Sequence, residues 1–316
     1  MLLYEKEKRY LPLYCSLLIS TVTIILFKLP SQFFFLFSFI PWLFIGLSTS
    51  NKNTSISYLI SQVLIIAFLN FNNNSETVNN IIILNIVLIG FLSFVITTSL
   101  KTQTNGKYLN IGNILSIYLI LITFFLFIFL IFFYLQIDFD PIVQKIKNLF
   151  LKDIQKQDIG LYNSLISILE FSLKIFPAIN SIIVFIITII NLSLSIKILN
   201  KLNIKVNTEV NYSIFLIPKY CLYLICPLFF LVIFSSENQQ ILFINLLVTF
   251  STIYVVSGYL IIYRKINKLN INIFINFLLF FLLFIFFSYL LLIFLFLVGL
   301  IDQIKLVLYK NKFSGE

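Results

Sequence analysis

Apolar residues run in long uncharged blocks along this chain, and short polar or charged stretches separate the blocks. Between Asn110 and Asp138 the sequence NIGNILSIYLILITFFLFIFLIFFYLQI has no charged side chain. A helix needs about 20 consecutive, mainly apolar residues to cross the hydrocarbon core of a bilayer. The pattern therefore predicts transmembrane helices.

Blocks of this kind recur along the whole sequence, at roughly 11–27, 31–48, 55–70, 80–99, 112–135, 177–198, 213–234, 240–262 and 271–300. The last block is ambiguous, because its 30 residues make about 45 Å of helix against a core of about 30 Å. It forms either one tilted or protruding helix, or two short passes that break near Ser288 and return Lys305 to the cytoplasmic side. We predict an all-α fold, a polytopic integral membrane helix bundle of 8–10 transmembrane helices.

The longest polar stretch, residues 138–176, predicts an outer amphipathic helical segment. Asp140 followed by Pro141 is a typical helix start, since the acid caps free amides and proline lacks the N–H that the first turn leaves unpaired. Apolar residues then recur at helical spacing, at Ile142, Ile146, Leu149 and Phe150. We expect one membrane domain over residues 1–316, with 138–176 as an extracytoplasmic helical insertion lying along the interface.

The basic residues predict the orientation. With a cytoplasmic N-terminus, the short loops on the cytoplasmic side carry most of the lysines and arginines, whereas the opposite side carries Lys28 and five more in a single long segment. The formal net charge of +10 therefore reflects membrane topology. Nucleic acid is not expected as a partner, because the sequence has no basic stripe and no RNA-binding signature.

The composition argues against most kinds of catalytic and metal site. Only 11% of the residues are charged and histidine is absent. The twelve acidic residues, Asp302 among them, map to loops or helix ends, and no nucleotide-binding loop occurs. Cys15, Cys221 and Cys226 have neither disulfide nor zinc spacing. We expect no enzymatic activity, no cofactor and no metal site.

Uncharged polar residues remain inside the apolar blocks. Asn85, Asn180 and Asn191 are the candidate ligand-binding residues, although an amide in hydrocarbon also serves to hydrogen-bond a neighbouring helix, as we expect for Asn245 and Asn276. A hydrophilic cavity walled by the three candidates would favour ligand binding, and a tightly filled bundle would favour a structural role.

Prolines within the apolar blocks or at their ends predict kinked helices. The backbone carbonyls that lose their helical hydrogen bonds there need other partners. The prolines are Pro41, Pro177, Pro218 and Pro227.

Several segments resemble the YybS-like family of predicted bacterial membrane proteins, catalogued as domain of unknown function 2232. The residues that carry the likeness are Pro30, Pro41 and Gly46 in LPSQFFFLFSFIPWLFIGLS, Pro177 and Asn191 in FPAINSIIVFIITIINLSLSIKIL, Pro218 in LIPKY, Gly258 in VVSGYLIIYRK, and Gly299 and Asp302 in VGLIDQIK. The resemblance covers nearly the whole chain. It implies a multi-pass protein of the bacterial cytoplasmic (inner) membrane, and the distribution of the basic residues predicts that its N-terminus is cytoplasmic.

The family's helices look distantly similar to the substrate-binding membrane components of energy-coupling-factor vitamin transporters, which bind small molecules and rely on a separate ATPase module. The first functional hypothesis is therefore an uncharacterised inner-membrane protein that binds small molecules or takes part in transport without its own energy source. Its partners would be the lipid bilayer and a separate ATPase module or other membrane proteins. The alternative is a non-catalytic membrane scaffold or biogenesis factor that acts through helix packing.

Overall fold

The computed structural model of the protein describes residues 2–28, 34, 36–72, 76–102, 111–132, 159–203, 215–267 and 290–308. Every regular element in these ranges is an α-helix. In chain order they are α1 (Leu2–Lys28), α2 (Ile40–Ser48), α3 (Asn51–Asn72), α4 (Glu76–Thr102), α5 (Ile111–Phe132), α6 (Ile159–Lys201), α7 (Lys219–Phe234), α8 (Glu237–Asn267) and α9 (Leu290–Leu308).

Six stretches among the described helices are long and apolar enough to cross a membrane. They are Tyr10–Phe27, Asn51–Leu69, Ile111–Phe132, Ser164–Lys201, Gln239–Ile266 and Leu290–Leu308. Two shorter apolar helices, Ile86–Leu100 and Lys219–Phe234, accompany them. The predicted all-α membrane helix bundle is confirmed.

The chain divides into two compact units. Unit 1 contains Met1–Tyr118 and Val184–Ile214, and unit 2 contains Leu119–Ile183 and Phe215–Glu316. Both α5 and α6 begin in one unit and end in the other. The predicted single membrane domain stays a prediction, as does the outer position of the insertion.

Some boundaries differ from those expected. The described part of the predicted insertion is continuous with the following span, because α6 runs without interruption from Ile159 to Lys201. The Asp140–Gln157 segment lies outside the described residues, and so does Ser288. The expectation that the acidic residues lie in loops or at helix ends is wrong for Glu170, which lies inside α6 between Ile159 and Lys201. Asp302 lies in the last two turns of the described α9.

Unit 1 is built around Trp42 in α2. Its side chain is fully buried, and its ring lies nearly perpendicular to the Tyr58 ring at 5.1 Å between centroids. The Tyr58 hydroxyl donates to the Trp42 carbonyl. α1 packs along α3, where the Ser57 hydroxyl of α3 donates to the Pro12 carbonyl of α1 at 3.1 Å. Small hydroxyl residues therefore draw these helices together, as in other membrane bundles.

In unit 2, α8 and α9 approach so closely that their backbones touch. A methyl group at Gly258 would collide with the Leu295 carbonyl oxygen and lie 2.8 Å from its carbon, and one at Gly299 would collide with the Tyr254 carbonyl oxygen. One turn after Gly299, the Gln303 amide donates to the Pro218 carbonyl at 2.7 Å, just before α7 begins. The C-terminal end of α9 therefore lies beside the N-terminal end of α7.

α7 and α8 pack together and are joined by two residues, so they run in opposite directions. The N-terminal end of α7 and the C-terminal end of α8 consequently lie at one end of unit 2. α9 ends there too, so it runs parallel to α8. This arrangement agrees with the alternative in which Lys305 returns to the side that carries Lys265.

Candidate functional site

One face of α6 in unit 1 is polar and buried. Thr188, Asn191 and Ser195 are three and four residues apart, so they lie on the same side of the helix, and each has at most 1% of its surface exposed. No other polar face of α6 is as deeply enclosed among its described residues. We therefore treat this face as the candidate functional site.

The first member of the face is held by an aromatic neighbour. The Thr188 and Tyr118 hydroxyl oxygens lie 2.6 Å apart, and the Tyr118 ring stacks on Phe185 at 5.9 Å between centroids. Thr188 also donates to the Val184 carbonyl of its own helix at 2.8 Å. These contacts fix the start of α5 against α6, so Thr188 is a structural member of the face.

The second member faces an interruption of the backbone before α2. Residues Ser38 and Phe39 form a turn there, and Pro41 has no N–H with which to continue a helix backward. The Asn191 Nδ2 donates to the Leu36 carbonyl at 2.9 Å. The amide of Asn191 therefore supplies a donor to a backbone carbonyl where the helical ladder is broken.

Two oxygen atoms on this face have no hydrogen-bond partner among the described residues. They are the Asn191 Oδ1 and the Ser195 Oγ. The Leu36 carbonyl fixes the amide orientation, because a flipped amide would place two acceptor oxygens together. Ser116, another buried serine of unit 1, instead donates to the Gly112 carbonyl of its own helix at 2.6 Å. The unpartnered pair therefore presents hydrogen-bonding capacity to a fully buried position.

A second amide bridges a gap in the backbone hydrogen bonds of α6, in the part of this helix that belongs to unit 2. The Asn245 Oδ1 accepts from the Ala178 N–H at 3.0 Å, and its Nδ2 donates to the Lys174 carbonyl at 2.8 Å. In a regular helix these two backbone groups pair with each other across one turn. Pro177 lies between them, so Asn245 bridges the helix at its proline, and it also donates to the Ile241 carbonyl.

A cavity of about 380 Å³ lies beside this bridge. Its lining combines the polar Lys174, Gln240 and Asn245 with apolar side chains of α6 and α8. All the polar atoms of Asn245 are already bonded to the backbone, so this amide shapes the cavity wall and does not offer a free group to a ligand.

A family model described as a predicted membrane protein, DUF2232, matches residues 17–303. The chain belongs to the DUF2232 family. No curated protein and no solved structure matches it. The resemblance noted in the sequence is confirmed, and membership adds no activity, because the family description names none.

In this DUF2232 protein the three predicted ligand-binding residues have different surroundings. Asn191 is buried at the interrupted backbone, as described above. Asn180 is exposed on the part of α6 that belongs to unit 2. Asn85 lies in α4, and its side chain is outside the described part of the structure. The proposed role of these residues in ligand binding stays a prediction.

Sequence reasoning did not single out Ser195 or Thr188. Their spacing from Asn191 is a signal that was available, because positions i, i+3 and i+7 share one helix face. It was missed because serine and threonine are common in the apolar blocks and mostly bond to their own helix, as Ser181 and Thr188 do. Among the described residues, no group of three or more Cys, Asp or Glu side chains could hold a metal ion.

Proposed function

We propose that this protein binds a small molecule within the membrane and is associated with transport, without an energy source of its own. The observation that carries the proposal is the pair of buried, unpartnered oxygens on Asn191 and Ser195 beside the interrupted backbone. Leaving a buried polar group unpaired costs about 1–3 kcal/mol, so a ligand that pairs with it gains a corresponding advantage.

The position of the pair supports the same interpretation. Interrupted helices at membrane depth are tolerated where the freed backbone is buried in protein or lines a cavity, and substrate sites of transporters are built at such interruptions. The turn at Ser38 and Phe39 interrupts the helix, and Asn191 contacts the backbone just before it. We expect this turn to lie at membrane depth. We expect the ligand to present a hydrogen-bond donor to the Asn191 Oδ1.

The energy for transport would come from outside the chain. The sequence lacks a nucleotide-binding loop and has no histidine, so we propose a non-enzymatic protein that works with a separate ATPase module or another membrane protein. We place it in the bacterial cytoplasmic membrane, where its cytoplasmic face would meet such a module.

The Ser195→Ala variant tests the proposal. This change removes one unpartnered hydroxyl and nothing that another described residue uses, so the purified protein should be as stable as the wild type or slightly more so. A ligand bonded to Ser195 should be retained about two- to tenfold less, the loss that one hydrogen bond produces. Mass spectrometry of small molecules released from protein purified from native membranes measures the retention.

The matched control is Ser116→Ala, which removes a buried serine hydroxyl bonded to its own helix in the same unit. It should leave the retained molecules unchanged. Equal retention by the wild type and Ser195→Ala would contradict ligand binding at this face.

A membrane scaffold is the second candidate, and the backbone contact of Gly258 with Leu295 favours it. Such close approach is typical of helix pairs whose task is association. Native membranes distinguish the two functions, because a scaffold should co-purify with other membrane proteins and without a bound small molecule.

The orientation is a separate prediction. We expect basic residues in short loops to face the cytoplasm and the polar residues of the other loops to face outward, because lysine and arginine set the direction of insertion. Fusions to an export-dependent reporter check this after Lys101, Lys201 and Lys265 on the first side, and after Asn73, Asp153 and Glu237 on the second. Strong export activity after Lys201 would overturn the topology.

A further inference from the structure

Basic side chains converge at one end of unit 2 from three helices. Lys219 is the first residue of α7, Arg264 and Lys265 lie in the last turn of α8, and Lys305 lies in the last two turns of α9. We name these four residues the basic end. The lysines are exposed and Arg264 is half-buried.

Contacts between the helices place these residues at one level. Gly258 and Gly299 lie side by side in the parallel helices α8 and α9. Arg264 and Lys305 each follow their glycine by six residues, so both lie about 9 Å further along at 1.5 Å per residue. Lys219 directly follows Pro218, whose carbonyl accepts from Gln303 of α9. The cationic groups therefore share one end of the unit.

Tyrosine side chains at the same end of unit 2 indicate that this end lies at the membrane interface. Tyr220 is 39% exposed and Tyr223 is 67% exposed, both within the first turns of α7. Tyr259 and Tyr263 stack at 6.0 Å between centroids in the last turns of α8. Tyrosine is enriched at headgroup depth, where its ring meets hydrocarbon and its hydroxyl meets water.

Few described acidic side chains lie at the level of the basic end. Asp302, half-buried in α9, is the one carboxylate among the described residues of α7, α8 and α9 near the basic end. The basic end has four cationic side chains, so the described residues at this level carry a net positive charge. A basic cluster directly beside a tyrosine belt matches an anionic phosphate group with hydrocarbon attached.

We propose that the basic end binds the phosphate headgroup of an anionic phospholipid. The lysines and Arg264 attract the phosphate, while the tyrosines and the apolar helix faces beneath them contact the glycerol and acyl chains. The phosphate chemistry is shared with free inorganic phosphate, but the exposed tyrosines favour the lipid, since the free ion gains nothing from them. This proposal does not depend on ligand binding at Asn191.

The test compares the purified protein in nanodiscs of phosphatidylcholine alone with nanodiscs that also contain phosphatidylglycerol. The anionic lipid should raise the melting temperature, and native mass spectrometry should detect phosphatidylglycerol retained after mild delipidation. Lys265→Gln should lower the retained fraction about fivefold, because one basic residue near an anionic surface has an effect of this size. Lys305→Gln should act in the same direction, and the double variant should lose more.

Lys174→Gln is the matched control. Lys174 is an exposed lysine of the same unit, and its carbonyl accepts from Asn245 of α8. Asn245 lies 19 residues before Arg264 in α8, which is about 28 Å along the helix axis, so Lys174 is far from the basic end. Its removal should leave lipid retention unchanged. Equal loss in Lys174→Gln and Lys265→Gln, equal stabilisation by both lipid compositions, or full stabilisation by inorganic phosphate alone would each overturn the proposal.

Discussion

Replacement of Gly258 by leucine is expected to separate α9 from α8 and to destabilise unit 2 by more than the roughly 1–3 kcal/mol of ordinary overpacking. The added Cβ would collide with the Leu295 carbonyl, which belongs to the backbone and cannot rotate away. Gly258→Ala should already produce most of the loss, because the colliding atom is the Cβ itself. Thermal unfolding in detergent measures the effect.

The control for this prediction is Ile301→Leu on α9, two positions after Gly299. The Ile301 side chain is 49% exposed, so a leucine of the same volume there faces the surroundings of the helix and should leave the melting temperature nearly unchanged. A Gly258→Ala variant as stable as the wild type would show that the backbones of α8 and α9 do not touch.

The Asn245→Leu substitution is expected to cost about 2–4 kcal/mol. The change removes three hydrogen bonds, each worth about 0.6–1.7 kcal/mol in a membrane protein. It also leaves the Ala178 N–H and the Lys174 carbonyl without the side chain that bridges them at Pro177. The free energy of unfolding, followed by circular dichroism in a denaturant titration, measures the loss.

A double-mutant cycle identifies the cause. On a Pro177→Ala background the helix can close its own ladder, so the same Asn245→Leu change should cost less than half as much. Asn180→Leu, on the exposed side of α6, is the matched control and should be neutral. An equal cost of Asn245→Leu on both backgrounds would contradict the bridging role.

The pattern of apolar blocks was sufficient for the fold class, because hydrocarbon imposes length and polarity on every span. It was insufficient for the interior of the spans. Asn180 and Asn191 are eleven residues apart, so they lie within about 20° of one face on an ideal helix. One is exposed and the other buried, because α6 passes from unit 2 into unit 1 between them and meets different neighbours.

The prolines were visible in the sequence, but their partners were not. Pro41 predicts an interrupted helix before α2, and at this interruption the Leu36 carbonyl accepts from Asn191, far along the chain in α6. Pro177 is likewise completed by Asn245 of α8. The contact of Gly258 with α9 could not be predicted from the neighbouring residues either, because a single glycine in an apolar block can face lipid or another backbone.

The division of α5 and α6 between the units has a consequence for biosynthesis. Unit 1 lacks its last segment until Val184–Ile214 has been made, and the intervening Leu119–Ile183 already belongs to unit 2. No contiguous fragment of the chain therefore contains one unit and nothing of the other. During translation unit 1 is therefore completed first. The segments of α5 and α6 that belong to unit 2 are made before that point, and α7, α8 and α9 are added to them afterwards.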